Sequence, residues 1–428
     1  MKQYQDVLKD ITTTGDVKTD RTGTGTTSKF GGMMKFSLRH GIWPIPTVRK
    51  VAYKKIAEEL EWMLKGIISV DWLEDRDNKI WSAWAGPESN TIGPMYGEQW
   101  RNWSSGLREL TPEDEAKLLV MIDNEMGYAQ EAAQTQFART TVQAVETFKK
   151  FLAEKTKPFE QGGSGGVDQL AYIVNELKNN PDSRRLVVNV WHAGLLPDTS
   201  MSPSANADAG RMSLAPCHSM WQVNSAPMSD FEILRYFLDQ VDEFQPKVEE
   251  VFNGMRGLTH EALESYLKLL GNQYLVEKGW ARPTEQVGLQ YNLGDDSHLE
   301  ITGAGEELLG GIKGRDGFVP RKLSLACFAR SQDVPLGTVF NVGMYSLLAH
   351  LLAEITGMVP WEYTHFMGDY HIYHNQKEGV AKMLERTPMK PCRIIVDPTL
   401  ERVEDFNSNN LQVYYESHPA IVFPKAAV

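Results

Sequence analysis

Leu323, Leu325 and Cys327 alternate with Ser324, Ala326 and Phe328, the period of two expected of a half-buried strand. A largely apolar run from about Val342 to Thr356 follows it and reads as a long helix. The same reasoning places a helix, a Gly/Thr loop, a strand near Ser28–Leu38 and a second helix near Val51–Leu64 in the first hundred residues. Gln169–Lys178 reads as a helix, Asn180-Pro181-Asp182 as a turn, Arg185–Trp191 as a strand, and the run around Cys217–Val223 as another strand. Leu263, Leu267 and Leu270 fall at i, i+4 and i+7, which predicts a helix beginning near Thr259. The glycine-rich run Gly303–Gly317 reads as a loop. Together these elements predict an α+β fold, a mixed β-sheet with packed helices.

Two regions break the pattern. About 104–166 carries Thr111-Pro112-Glu113-Asp114, which opens a helix-like stretch, and closes on the linker-like Gln161-Gly162-Gly163-Ser164-Gly165-Gly166, and about 224–320 forms a second irregular region around the helix predicted near Thr259. Both are expected to be large insertions into a single domain spanning 1–428.

Composition narrows the function. The chain has 428 residues, 42% of them hydrophobic and 23% charged, with a net charge of −12 and no Lys/Arg block. A general nucleic-acid surface is therefore not expected, and an anionic substrate needs a few local arginines. The start, Met1-Lys2-Gln3-Tyr4, lacks the apolar run of a signal peptide, and Met344–Ile355 is short for a bilayer span, so no membrane association and a cytoplasmic location are expected. Cys217, Cys327 and Cys392 are too few and too scattered for a disulfide framework or zinc spacing, so no metal is expected.

Candidate chemistry sits in short motifs. Asp20-Arg21-Thr22-Gly23-Thr24-Gly25-Thr26 couples a cation to a donor-rich flexible backbone able to wrap a phosphate. In Leu214-Ala215-Pro216-Cys217-His218 a thiol stands between a rigid proline and an imidazole, which suits an activated nucleophile, although a buried strand cysteine is the commoner case. Adjacent arginines follow Asn180-Pro181-Asp182-Ser183 at Arg184 and Arg185.

These motifs, with Gly93-Pro94-Met95-Tyr96-Gly97-Glu98-Gln99-Trp100-Arg101, Arg330-Ser331-Gln332-Asp333, Phe340-Asn341 and Gly368-Asp369-Tyr370-His371-Ile372-Tyr373, occur in one order. The series resembles the thymidylate synthase superfamily, which includes the phage deoxyuridylate and deoxycytidylate hydroxymethylases. The resemblance covers roughly 1–103, 167–223 and 321–428. It implies folate-dependent one-carbon transfer to C5 of dUMP, with 5,10-methylenetetrahydrofolate as co-substrate and Cys217 attacking C6. It further implies phosphate binding by Arg21, Arg330 and Ser331, with Arg184 and Arg185 reaching in from the partner of a homodimer with shared active sites. Asn341 matches the residue that reads uracil, and His371 and Tyr373 match the pair on the deoxyribose hydroxyl. Glu59, Tyr96 and His218 match the proton-handling groups, while Asp333, Trp81, Trp84, Gly337, Phe340 and the terminal Val428 match the folate side.

Departures from the synthase pattern bear on the product. Glu61 stands where synthases carry leucine, Ser82 where they carry aspartate, His192 where they carry asparagine, and Gln376 where they carry histidine. Polar groups near a folate pocket can orient a water. On that ground the resemblance points to 5-hydroxymethyl-dUMP, with thymidylate synthesis as the alternative. A non-catalytic nucleotide- or RNA-binding regulator is a third reading, which the filled cysteine, asparagine and arginine positions oppose.

Overall fold

A computed structural model describes residues 2–19, 23–103, 166–254, 259–284 and 293–424. Arg21, Val428, the 111–114 motif and nearly all of the first irregular region lie outside them. The described chain builds ten strands: β1 Asp16–Lys18, β2 Thr26–Ser37, β3 Val187–Asn189, β4 His218–Pro227, β5 Ala281–Pro283, β6 Leu299–Ile301, β7 Arg321–Asp333, β8 Val359–Tyr373, β9 Arg393–Val396 and β10 Leu411–Tyr414. Six of them form the main sheet in the order β1-β2-β8-β7-β4-β3. Only the β7–β8 neighbours run parallel; the crossover between them is the helix Gly337–Thr356. The expected mixed sheet with packed helices is present.

The alternation seen in sequence is the pleat. Leu323, Leu325, Cys327 and Ala329 of β7 are buried beneath the helices, whereas Phe328 is exposed on the other face. The crossover helix starts earlier than the sequence predicts and runs for 20 residues, long and apolar enough to cross a bilayer. It is instead the core of the fold, with 83% of that window buried. Gly357, at φ 68°, ends it in a left-handed turn where a Cβ would collide with the Gly317 carbonyl.

The predicted helix after Thr259 is present as His260–Glu277, and the Thr259 hydroxyl accepts from the Ala262 N–H at 3.3 Å. Gly303–Gly317 is not a loop: Gly303–Lys313 is helical, capped by Thr302, whose hydroxyl accepts from Gly305 N–H at 3.1 Å. Leu309 and Ile312, three apart and both buried, drive that helix, and their packing outweighs the glycine content. β4 also continues to Pro227, so the regular core reaches beyond residue 224.

Helices Asp230–Leu238, Gln245–Gly254, His260–Glu277 and Gly303–Lys313 share a second hydrophobic core around Leu234, Leu238, Phe252, Leu267 and Leu275. Ionic contacts fasten this lobe to the main body: His40 Nδ1 to Asp239 at 2.7 Å, Lys322 to Glu232 at 2.9 Å, Arg39 to Glu264 and Arg393 to Glu249. A cavity of about 670 Å³ lies along the junction; several of these paired charges and apolar side chains such as Phe252, Leu267 and Trp361 line it, and Cys217 does not.

Candidate active site

Cys217 sits at the mouth of β4, held through its backbone. Its N–H donates to the Tyr96 hydroxyl at 3.1 Å, and its carbonyl accepts from the Arg330 N–H at 2.8 Å. The Arg330 guanidinium donates to Pro216 O at 2.8 Å and Ala215 O at 2.6 Å, stapling the cysteine loop to β7. Two of its five N–H donors are thereby used, leaving three for an anion. Burial pushes the Cys217 thiol up; Arg330 opposes this and Asp333 adds to it.

Around the thiol lies a stack of rings. Tyr96 lies nearly flat on His218, with centroids 4.0 Å apart and planes at 18°, and Trp81 packs on Tyr96 at 5.5 Å. Trp84 meets Trp81 edge-on at 5.7 Å. Tyr96 has φ 41°, a backbone state that costs roughly 1–3 kcal/mol in a non-glycine residue and is found where a site demands it. His218 Nδ1 is bonded to the Tyr345 hydroxyl at 2.6 Å, and burial, reinforced by His365, lowers its pKa to about 3. It is a neutral imidazole at any working pH. Tyr345 was not singled out from sequence. Its signal was present: a tyrosine inside an apolar helix needs a partner for its hydroxyl.

The helix Tyr53–Leu64 buries three glutamates, and their partners separate them. Glu58 pairs with Lys55 at 3.5 Å and accepts from Asn78 at 3.2 Å. Glu61 pairs with Lys65 at 3.0 Å and accepts from the Ser408 N–H at 3.3 Å. Glu59 meets no cation among the described residues; the Trp81 indole N–H donates to it at 2.9 Å. Burial raises its pKa to about 7, with Trp81 pulling weakly the other way.

Asp333 ends β7 directly across from His371 of β8. His371 Nδ1 bonds Asp369 at 2.8 Å, and its ring meets Tyr373 edge-on at 5.0 Å. Gly337, Phe340 and Asn341 lie in the first two turns of the crossover helix, where Asn341 Nδ2 makes a long 3.5 Å contact to Gln332 Oε1. Gln332 Nε2, buried beside it, has no hydrogen-bond partner among the described residues. Ser331 is partly exposed next to Arg330. The Ser82 hydroxyl, between Trp81 and Trp84, is likewise buried without a partner among the described residues, whereas His192 packs on Trp103 at 4.9 Å.

Arg184 and Arg185 stand apart. Both are exposed beside the edge strand β3, and neighbouring Leu186 bonds Val223 of β4. Six residues of extended chain separate Val223 from Cys217, roughly 20 Å at the usual rise.

A family model described as thymidylate synthase matches residues 2–240 and 313–427. The chain belongs to the thymidylate synthase family. The match is interrupted between 240 and 313, within the second lobe, but runs through 104–166. The chain is 26% identical over 422 residues to a thymidylate synthase of Pseudomonas fluorescens, covering 98% of each. A synthase of almost this length is therefore among its relatives. Membership implies dUMP and a folate co-substrate.

Proposed function

We propose that the chain transfers one carbon from 5,10-methylenetetrahydrofolate to C5 of dUMP, by way of a bond between Cys217 Sγ and C6, and that the product is dTMP. The observation that carries this reading is the backbone clamp on Cys217 between Tyr96 and Arg330, which aims the thiol beside a cation with donors to spare.

Cys217 adds to C6 and turns C5 into a carbon nucleophile. Arg330 holds the phosphate with Ser331, and Asn341, able to donate and accept at once, suits the O4 and N3–H edge of uracil. His371 and Tyr373 hold the sugar hydroxyl. Glu59, half ionised near neutral pH, takes and returns the protons that the base must exchange. Tyr96 stands over His218 to receive the proton leaving C5 through water. The rings of Trp81, Trp84 and Phe340 with the carboxylate of Asp333 fit a flat, N–H-bearing folate, which supplies the methylene carbon and the hydride.

Three polar departures that favour hydroxymethylation in the sequence have other engagements: Glu61 with Lys65, Gln376 with Asp333, and His192 with Trp103. Together with the near full-length synthase relative, this supports dTMP. The second reading, 5-hydroxymethyl-dUMP, keeps a specific support: the Ser82 hydroxyl, flanked by Trp81 and Trp84, is buried without a partner among the described residues, which suits a bound water. Product mass and folate absorbance together decide it. Equal amounts of dTMP and dihydrofolate are expected; a nucleotide one oxygen heavier, with tetrahydrofolate conserved, establishes the hydroxymethylase.

The active species in this proposal is a homodimer. Met33, Phe366, Phe328 and Met220 are successive cross-strand neighbours on β2, β8, β7 and β4, forming an apolar row on the face turned away from the helices. Phe328 is 45% exposed, Phe366 39% and Met33 56%. A face of this kind calls for a second copy. The distance of Arg184 and Arg185 from their own cysteine fits donation to the partner's phosphate site. Phe366→Glu is expected to sediment as a monomer and to lose turnover; a dimeric, active variant would place the interface elsewhere.

A further inference from the structure

Gln376 follows β8 directly, in the single turn His374–Gln376, and is 1% exposed. Its side chain joins two strand ends. Nε2 donates to Asp333 Oδ1 at 3.1 Å and Oδ2 at 3.0 Å, while Oε1 accepts from the Tyr373 N–H at 3.0 Å. The Leu336 N–H adds a bond to Asp333 Oδ1 at 3.3 Å. A carboxylate offers about four lone-pair sites. The two bonds on Oδ1 fill it, and Oδ2 keeps one site open.

We propose that Gln376 is a positioning residue that fixes the Asp333 carboxylate in one orientation, in its ionised form, so that Oδ2 presents its open lone pair to an N–H donor of the folate. This deepens the proposed one-carbon transfer and rests on it for the identity of the donor. The same side chain ties that orientation to Tyr373, so the strand end assigned to the sugar and the carboxylate assigned to the folate move as one unit.

The neighbourhood makes such a device necessary. The charged and titratable groups that face Asp333 are His371 on β8, Arg49 before the helix Tyr53–Leu64, Tyr4 on the first helix, and Cys217 at the start of β4. Burial pushes the Asp333 carboxyl up against the combined pull of Gln376, His371, Leu336 N–H and Arg49. Without the amide, burial acts less opposed and the carboxyl holds its proton to higher pH. A proton on Oδ2 takes up the lone pair offered to the folate and turns that oxygen from an acceptor into a donor. The glutamine amide does not titrate, so its two bonds to the carboxylate are offered at every working pH.

The test compares wild type with Gln376→Met, which keeps the volume and removes the donors. The Asp333 carboxyl, followed by ¹³C NMR in the full-length protein, is expected to titrate about one pH unit higher. The acid limb of kcat/KM for the folate should move up with it and KM for folate should rise about tenfold, whereas KM for dUMP, which feels only the lost Tyr373 N–H bond, should rise no more than about twofold. Gln376→His, which regains a donor and carries a charge at low pH, should take the Asp333 titration below the wild-type midpoint; it serves alone if the Met variant does not fold. An Asp333 titration that stays at the wild-type midpoint in Gln376→Met, or in Gln376→His where that variant serves alone, overturns the proposal. If the wild type turns over no dUMP with methylenetetrahydrofolate while the titration shifts as stated, the functional reading fails and the positioning role stands.

Discussion

Cys217→Ala is expected to bind dUMP within a few-fold of wild type and to turn it over at least about 10⁴-fold more slowly. Binding survives because the contacts that hold residue 217 are made by its backbone, through Tyr96 and Arg330, and an alanine keeps both. Only the sulfur is lost, and with it the bond that makes C5 nucleophilic. Tritium release from C5 and the covalent complex with 5-fluoro-dUMP should vanish together with product. The other two cysteines give an internal control. Cys327 and Cys392 are fully buried, and burial holds both thiols well above the ordinary range, so neither can substitute. A 5-fluoro-dUMP adduct on the alanine variant would sink the assignment.

Much of the frame was legible because it depends on local periodicity. The two-residue period of Leu323–Phe328 and the apolar run after Val342 reported β7 and the crossover helix directly. Gly303–Lys313 was misread because glycine content is a weak signal beside a capping threonine and two buried aliphatics three residues apart. The site divides along the same line. Cys217, Tyr96, His218 and Glu59 could be named from ordered motifs, and the fold gathers them through the contacts of Trp81 and Tyr96. Which side chains pair could not be named, because Tyr345 reaches His218 across 127 positions and Gln376 reaches Asp333 across 43. Pairings of that separation are decided by packing, which a single sequence does not display. The separation of Glu59 from Glu61 is the sharpest case. Both are buried, two residues apart on one helix, and only the positions of Lys65, Ser408 and Trp81 tell the ion-paired carboxylate from the one proposed to carry protons.

Glu59→Gln tests that distinction and should act on activity and stability in opposite directions. Glutamine keeps an oxygen to accept from the Trp81 indole but cannot carry a proton between base and water, so kcat is expected to fall about 100- to 1,000-fold. Stability follows from the raised pKa. The folded protein holds the Glu59 proton up to about pH 7, against 4.5 for the free side chain. The stabilising contribution is therefore complete below pH 4.5 and is lost as pH rises through 7, by at most about 3 kcal/mol. Glutamine never ionises, so the variant escapes that loss. Above pH 8 it should melt a few degrees higher than wild type, and near pH 4.5 the difference should disappear. Thermal melts across this range with steady-state kinetics at each pH make the measurement. A variant that retains most of its kcat removes Glu59 from the proton path. Equal melting curves at high pH would mean that the carboxylate ionises in the fold as freely as in water, and that its burial beside Trp81 does not tune it.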